Sequence, residues 1–218
     1  MHSHDRTLLS RLGFQDPDHK SSKHDLACQY LAAPEQARRL ADILFSSTTG
    51  VRPYADDNSW EKGVEQYKIV GQETVSVRVM GTCLEFPLTK GQAQYLTVIG
   101  FLDVLMEVRL SGKMDGMKLV GTVETPIQQN THWSDQNVVI EVKTQAMPVG
   151  DILRQFRLYG QYFPGVSKWV LATTYRMSDI DKNTLKAEGI THIRLGESFA
   201  SWAARMSDSK DTCEDVEI

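Results

Sequence analysis

With 218 residues, 41% of them hydrophobic, the chain can bury one substantial core, and its length suits one domain better than two. Its net charge of -4 argues mildly against a phosphate-coated partner, but the surplus is local: 28 acids and 24 bases become 23 of each once the acidic segment 207–218 is set aside. The longest apolar stretches, such as 98–106, are broken by Gly100 and Asp103 and are too short to cross a bilayer, which excludes a membrane span.

At the start, His2, His4, Asp5 and Arg6 stand where a secretory signal would carry a basic cap and an apolar run, so a cytoplasmic protein is expected. Cys28, Cys83 and Cys213 are odd in number and scattered, and free thiols are the expectation. Residues 25–31 and 34–45 read as helices, the second with apolar residues at Ala37, Leu40, Ala41 and Leu44 and with Pro34 suited to a first turn. The helical part is thus placed at about 1–58, and the stretch 46–59 is polar and rich in turn formers. Over 74–80 Val75, Val77 and Val79 alternate with polar residues, the pattern of a half-buried strand. Residues 98–108 are apolar on both faces apart from Asp103 and Glu107, as in a strand covered on both sides. Turn signals follow over 110–116, then strands over 118–124 and 138–143, with the polar segment 125–137 expected as a long hairpin loop.

Beyond Pro148 the spacing of Ile152, Phe156, Tyr159 and Phe163 predicts a helix, with Asp151 near its positive end. A strand over 168–173, a short helix over 179–188 closed by Gly189, and a strand over 191–195 complete the order. The expected fold class is α/β, a central mixed sheet flanked by helices, in a single domain over 1–206 with a disordered tail over 207–218.

Two segments carry chemistry. Asp103 lies in an apolar strand, where an ionised carboxylate buried without a partner costs several kcal/mol and requires a base, donors or a metal. Glu141 and Lys143 are two apart after three apolar residues, so acid and base share one strand face while Val142 takes the other. Hydrolysis of a phosphodiester needs an activated water, neutralised phosphoryl charge and a stabilised leaving oxygen, all of which carboxylate-held magnesium supplies. Asp103 and Glu141 are the expected ligands with the Val142 carbonyl as a third, and Lys143 is placed to orient water and screen the phosphate. On the next helix Gln155 and Tyr159 are four apart and share a face, with Arg154 and Arg157 available for a nucleic-acid backbone.

Asp103, then Glu141-x-Lys143, then Gln155-x-x-x-Tyr159 resembles the PD-(D/E)xK nuclease superfamily, closest to its RecB-like exonuclease branch with a Q-x-x-x-Y motif. The resemblance covers about 98–195. It implies a restriction-endonuclease-like fold, a Mg2+ or Mn2+ cofactor and a nucleic-acid substrate, with DNA favoured over RNA. It also implies a further ligand from the first helical segment, for which His24 and Glu35 are the candidates. Gly100 and Phe101 precede the Asp where the family has Pro, and the long interval to Glu141 calls for an extra hairpin or insertion. Asp115 and Asp135 are rival ligands that read as residues of polar turns. Trp60, Trp133, Trp169 and Trp202 are candidates for base stacking, with core packing the default. The alternative function is a catalytically inactive nuclease-fold module that binds nucleic acid or a protein partner. For so small a chain, a homo-oligomer or a recombination or repair partner such as a helicase is compatible with either reading.

Overall fold

Residues 22–57, 68–91 and 96–211 are described in the computed structural model. In chain order the elements are helices α1 (Ser22–Ala32) and α2 (Pro34–Leu44), strands β1 (Gly50–Asp57), β2 (Lys68–Lys90), β3 (Thr97–Val120) and β4 (Val123–Lys143), helix α3 (Val149–Tyr162), strand β5 (Val166–Thr173), helix α4 (Asp179–Ala187), strand β6 (Ile190–Arg194) and helix α5 (Glu197–Asp211). The strands form one sheet in sequence order, β1 to β6. β1 pairs antiparallel with β2, while β5 is parallel to both β4 and β6. The protein is therefore α/β with a mixed central sheet and, among the described residues, five helices. None of these helices is long and apolar enough to cross a membrane.

The chain divides into two compact units. The first comprises Met1–Ala37, Gly81–Met106 and Asn137–Ile218. Its second half is β4–α3–β5–α4–β6, where parallel strands require helical crossovers. Pro148 precedes α3 and its carbonyl accepts from the Asp151 N–H. Ser178 caps α4 by accepting from the Asp181 N–H at 3.1 Å, and Gly189, at φ +74°, turns the chain out of α4 into β6. α3 serves two clusters. Its Tyr159 packs with Leu88, Ile99, Leu102, Leu105 and Val139, while Ile152 and Phe156 pack with Leu171, Met177, Leu185 and Ile190. Elsewhere in this unit Tyr30 of α1 meets Phe199 and Trp202 of α5 edge-on at 5.4 and 5.5 Å.

The second unit comprises Arg38–Met80 and Glu107–Gln136. Here β1 runs along β2 in register from Gly50 opposite Val75 to Asp57 opposite Lys68. Arg52 stands opposite Glu73 and its Nε and a terminal nitrogen both reach Oε2 at 2.9 Å. Where β2 passes β3, a Cβ on Gly71 would collide with the Asp115 carbonyl oxygen, and one on Gly116 would collide with that of Val70. No side chain fits either position, so both glycines are fixed by close backbone approach.

Several sequence expectations change. The segment 46–59 contains strand β1, so the helical part ends at Leu44 rather than near residue 58. The turn expected at 110–116 and the loop expected at 125–137 are strand, lying within β3 and β4. These two strands turn over Gly121, at φ +57°, and Thr122, and this long hairpin is the extra one that the interval from Asp103 to Glu141 called for. Helix α5 continues to Asp211, so 207–211 is helical where disorder was expected; 212–218 lie outside the described residues.

Candidate active site

All the polar residues of the candidate site belong to the first unit. α1 brings His24 and Cys28, four apart on one helix face, and both are buried. β3 brings Asp103, β4 brings Glu141 and Lys143, and all three are buried, Lys143 completely. Interior charges of this kind persist only when answered by partners.

Each has one. The Val142 N–H donates to Asp103 Oδ2 at 2.7 Å, which ties β4 to β3 across the site. His24 Nε2 stands 3.4 Å from the same oxygen. Burial opposes the charge on Asp103, but His24 and Lys143 and the Val142 N–H together hold its carboxyl below the usual range. Burial likewise opposes the imidazolium of His24. Hydrogen bonds to Asp103 and Cys28 outweigh that penalty, and its pKa rises to about 11. The Cys28 thiol, 3.7 Å from His24 Nδ1, is pushed up by burial to about 11 despite that neighbour.

On β4, Lys143 Nζ donates to Glu141 Oε1 at 2.8 Å, as the shared strand face requires. Gln155 of α3 donates to the same oxygen at 2.6 Å and also contacts the Tyr159 hydroxyl. The two halves of the site influence each other: Lys143 acts on Asp103, and both Asp103 and Glu141 act on the Cys28 thiol. Glu141 and Lys143 stand at the carboxyl end of β4, paired in register with Leu171 and Thr173 of β5. In open α/β sheets this end of the strands is where ligands are bound. The Lys143 carbonyl accepts from the Thr174 N–H, so the Val142 carbonyl, one residue back, faces the opposite edge, towards β3 and Asp103. Beside α1, a pocket of about 280 Å³ is lined by Lys23, Leu26, Thr174, Leu195 and Phe199.

Of the residues singled out in the sequence, Asp103, Glu141, Val142, Lys143, Gln155, Tyr159 and His24 come together. The others do not. Glu35 is exposed in the first turn of α2. Arg154 is exposed and pairs with Asp151 of its own helix, and Arg157 pairs with Glu188 at 2.9 Å. Asp115 and Asp135 lie in strands rather than turns, exposed and in the second unit, bonded to Gln128 and to Arg109 respectively. Trp169 meets Phe156 edge-on at 5.5 Å and Trp202 meets Tyr30, which makes both packing residues; Trp60 and the side chain of Trp133 lie outside the described residues. One site residue was passed over in the sequence as a free thiol, Cys28. Its signal was the four-residue spacing from His24 on a single helix.

In comparisons with family models, with curated proteins and with solved structures, nothing matches the chain.

Proposed function

We propose that this protein is a metal-dependent nuclease of the PD-(D/E)xK kind, with a restriction-endonuclease-like first unit, acting on phosphodiester bonds in DNA. The observation that carries the reading is a completely buried lysine bonded to a buried glutamate on one strand, with a buried aspartate tied to the backbone between them. A buried ion pair is a poor way to stabilise a fold, because desolvation offsets most of its attraction. Reaction chemistry supplies a reason to hold one in place.

The donor set fits Mg2+ or Mn2+: two carboxylates, Asp103 and Glu141, and the Val142 carbonyl are hard oxygen ligands. When bound there, such an ion polarises the phosphate and lowers the pKa of water. The chain's own residues do the rest. Gln155 and Lys143 together fix the Glu141 carboxylate through Oε1. His24 and the Val142 N–H fix Asp103 through Oδ2. Lys143 Nζ carries the positive charge that a phosphoryl oxygen requires, and its burial excludes bulk water from that charge. Tyr159 keeps Gln155 aimed at the acid.

Incubating linear, nicked and single-stranded DNA with Mg2+ or Mn2+ tests this. Wild-type protein is expected to cleave at least one form, and Lys143→Ala and the isosteric Asp103→Asn to lose about 100-fold or more in rate, a typical contribution of a positioned catalytic group. Circular dichroism checks that the variants fold. Equal cleavage by wild type and variants, or cleavage by none of them, removes the mechanism.

A further inference from the structure

The site contains a ligand that a magnesium enzyme has no use for. Cys28, His24 and Asp103 each offer a donor atom, all three residues are buried, and the donor atoms lie within 4.8 Å of one another. We infer that these three side chains form a binding site for a thiophilic divalent cation, zinc in the first instance, separate in its chemistry from the oxygen-ligand set of Asp103, Glu141 and Val142.

The spacing suits the ion. With zinc bonds of about 2.3 Å to sulfur and about 2.0–2.2 Å to nitrogen and oxygen, a tetrahedral centre sets its N and O ligands roughly 3.4 Å apart and its S and N ligands roughly 3.6 Å apart. Here His24 Nε2 is 3.4 Å from Asp103 Oδ2, and Cys28 Sγ is 3.9 Å from the same ring nitrogen. Both separations are within a few tenths of an ångström of those values, and the Cys28 sulfur and the Asp103 carboxylate lie within 4.8 Å of each other. The framework is also firm, since His24 and Cys28 are fixed one helical turn apart and Asp103 is held by the Val142 N–H.

Ligand type separates the two ions. Thiolate and imidazole select zinc and related transition metals, whereas Mg2+ takes oxygen. Three protein ligands leave a fourth position for water or substrate, as in catalytic rather than structural zinc sites. Coordination replaces the proton on the Cys28 thiol and the one that His24 shares with Asp103, so binding releases protons. Both ion classes draw on Asp103. Zinc is therefore expected to compete with Mg2+ for the site, but the site itself does not depend on whether the protein cleaves DNA.

The experiment is a titration of the full chain with Co2+, then Zn2+, read by absorbance. Co2+ is expected to bind with one equivalent and to show the near-ultraviolet charge-transfer band that only a thiolate ligand gives, and Zn2+ to bleach it. Cys28→Ser is expected to abolish the band and weaken zinc binding about 10-fold or more, and a Cys83→Ser/Cys213→Ser variant to keep both. Should Cys28→Ser not fold, the variant with Cys28 as its one thiol decides, since the band then has a single possible source. A wild-type protein without the band, a band lost with Cys83 and Cys213, or equal zinc affinity in folded Cys28→Ser overturns the assignment. Because the readout is spectroscopic, a protein that cleaves no DNA still returns an answer.

Discussion

Each unit of the molecule buries a glutamate, and the two are treated differently. In the second unit Glu73 is met by Arg52 from the directly opposed residue of the neighbouring strand, and the arginine is nearly half exposed. In the first unit Glu141 is met by Lys143, two residues along its own strand and wholly buried. The Arg52 pair locks strand register and leaves its positive charge in contact with water, which is an inexpensive structural device. The Lys143 pair removes both charges from water and locks no register, since both groups belong to one strand. A difference of this kind is what the proposed catalytic role of the Lys143 pair calls for, and what a purely structural pair has no need of.

The comparison breaks or sharpens most clearly at Lys143. In chelator-treated protein, Lys143→Ala takes from the buried Glu141 carboxylate the positive charge bonded to it and is expected to lower unfolding stability by about 3–5 kcal/mol in a denaturant titration. The double variant Glu141→Gln/Lys143→Met is expected to recover most of that loss. A single variant as stable as wild type would make the pair ordinary. Next in size is Arg52→Ala. It deprives buried Glu73 of a charged partner that water can partly replace, so a loss of about 1–3 kcal/mol is expected, with DNA cleavage and metal binding unchanged. A change in cleavage would show that the second unit's pair is not merely structural.

The smallest effect concerns His192, whose Nε2 lies 2.9 Å from the Thr173 hydroxyl in the first unit. Burial, and then Lys182, hold its pKa below the ordinary 6.5. A histidine with a depressed folded pKa favours the folded state while neutral. Its contribution is complete above about pH 6.5 and is lost as pH falls through the lower, folded value. Wild type is therefore expected to lose stability between pH 7 and 5 relative to His192→Gln, as measured by thermal melts across that range. Parallel pH curves would contradict the depressed value.

Much of the candidate site was legible in the sequence because its residues interrupt strong apolar patterns. Asp103 within 98–106 stood out as an acid where burial was forced, Glu141 and Lys143 as an acid and a base on one face after three apolar residues, and Gln155 with Tyr159 as a pair on one face of a periodic helix. The outer portions of β2, β3 and β4 were not legible. Along β2 the run from Gly81 to Glu85 is exposed on both faces, so no alternation marks it as strand, and its conformation rests on backbone pairing that side chains do not announce. Gly116 read as a turn for a related reason. A glycine required by a closely passing strand has the same signature as one required by a bend, and only the position of Gly71 distinguishes them. β1 was hidden by Pro53 and by an exposed Val51, both of which an edge strand tolerates. Cys28 was missed because a buried thiol is ordinarily a small hydrophobe, and Asp103, which joins it and His24, comes from a strand far along the chain.

The backbone amide that holds Asp103 lies 39 positions further along the chain, yet the two groups meet at 2.7 Å. The chain between them runs out along β3 and returns along β4, turning over Gly121 and Thr122. β3 also lies beside β2, whose Gly71 approaches Asp115 and Gly116, so the tip beyond Gly116 is the part where equal trimming of both strands leaves that approach in place. Chain length at the tip is thus decoupled from the Asp103–Val142 hydrogen bond, and the tip is where the molecule can gain or shed sequence while that pairing is kept.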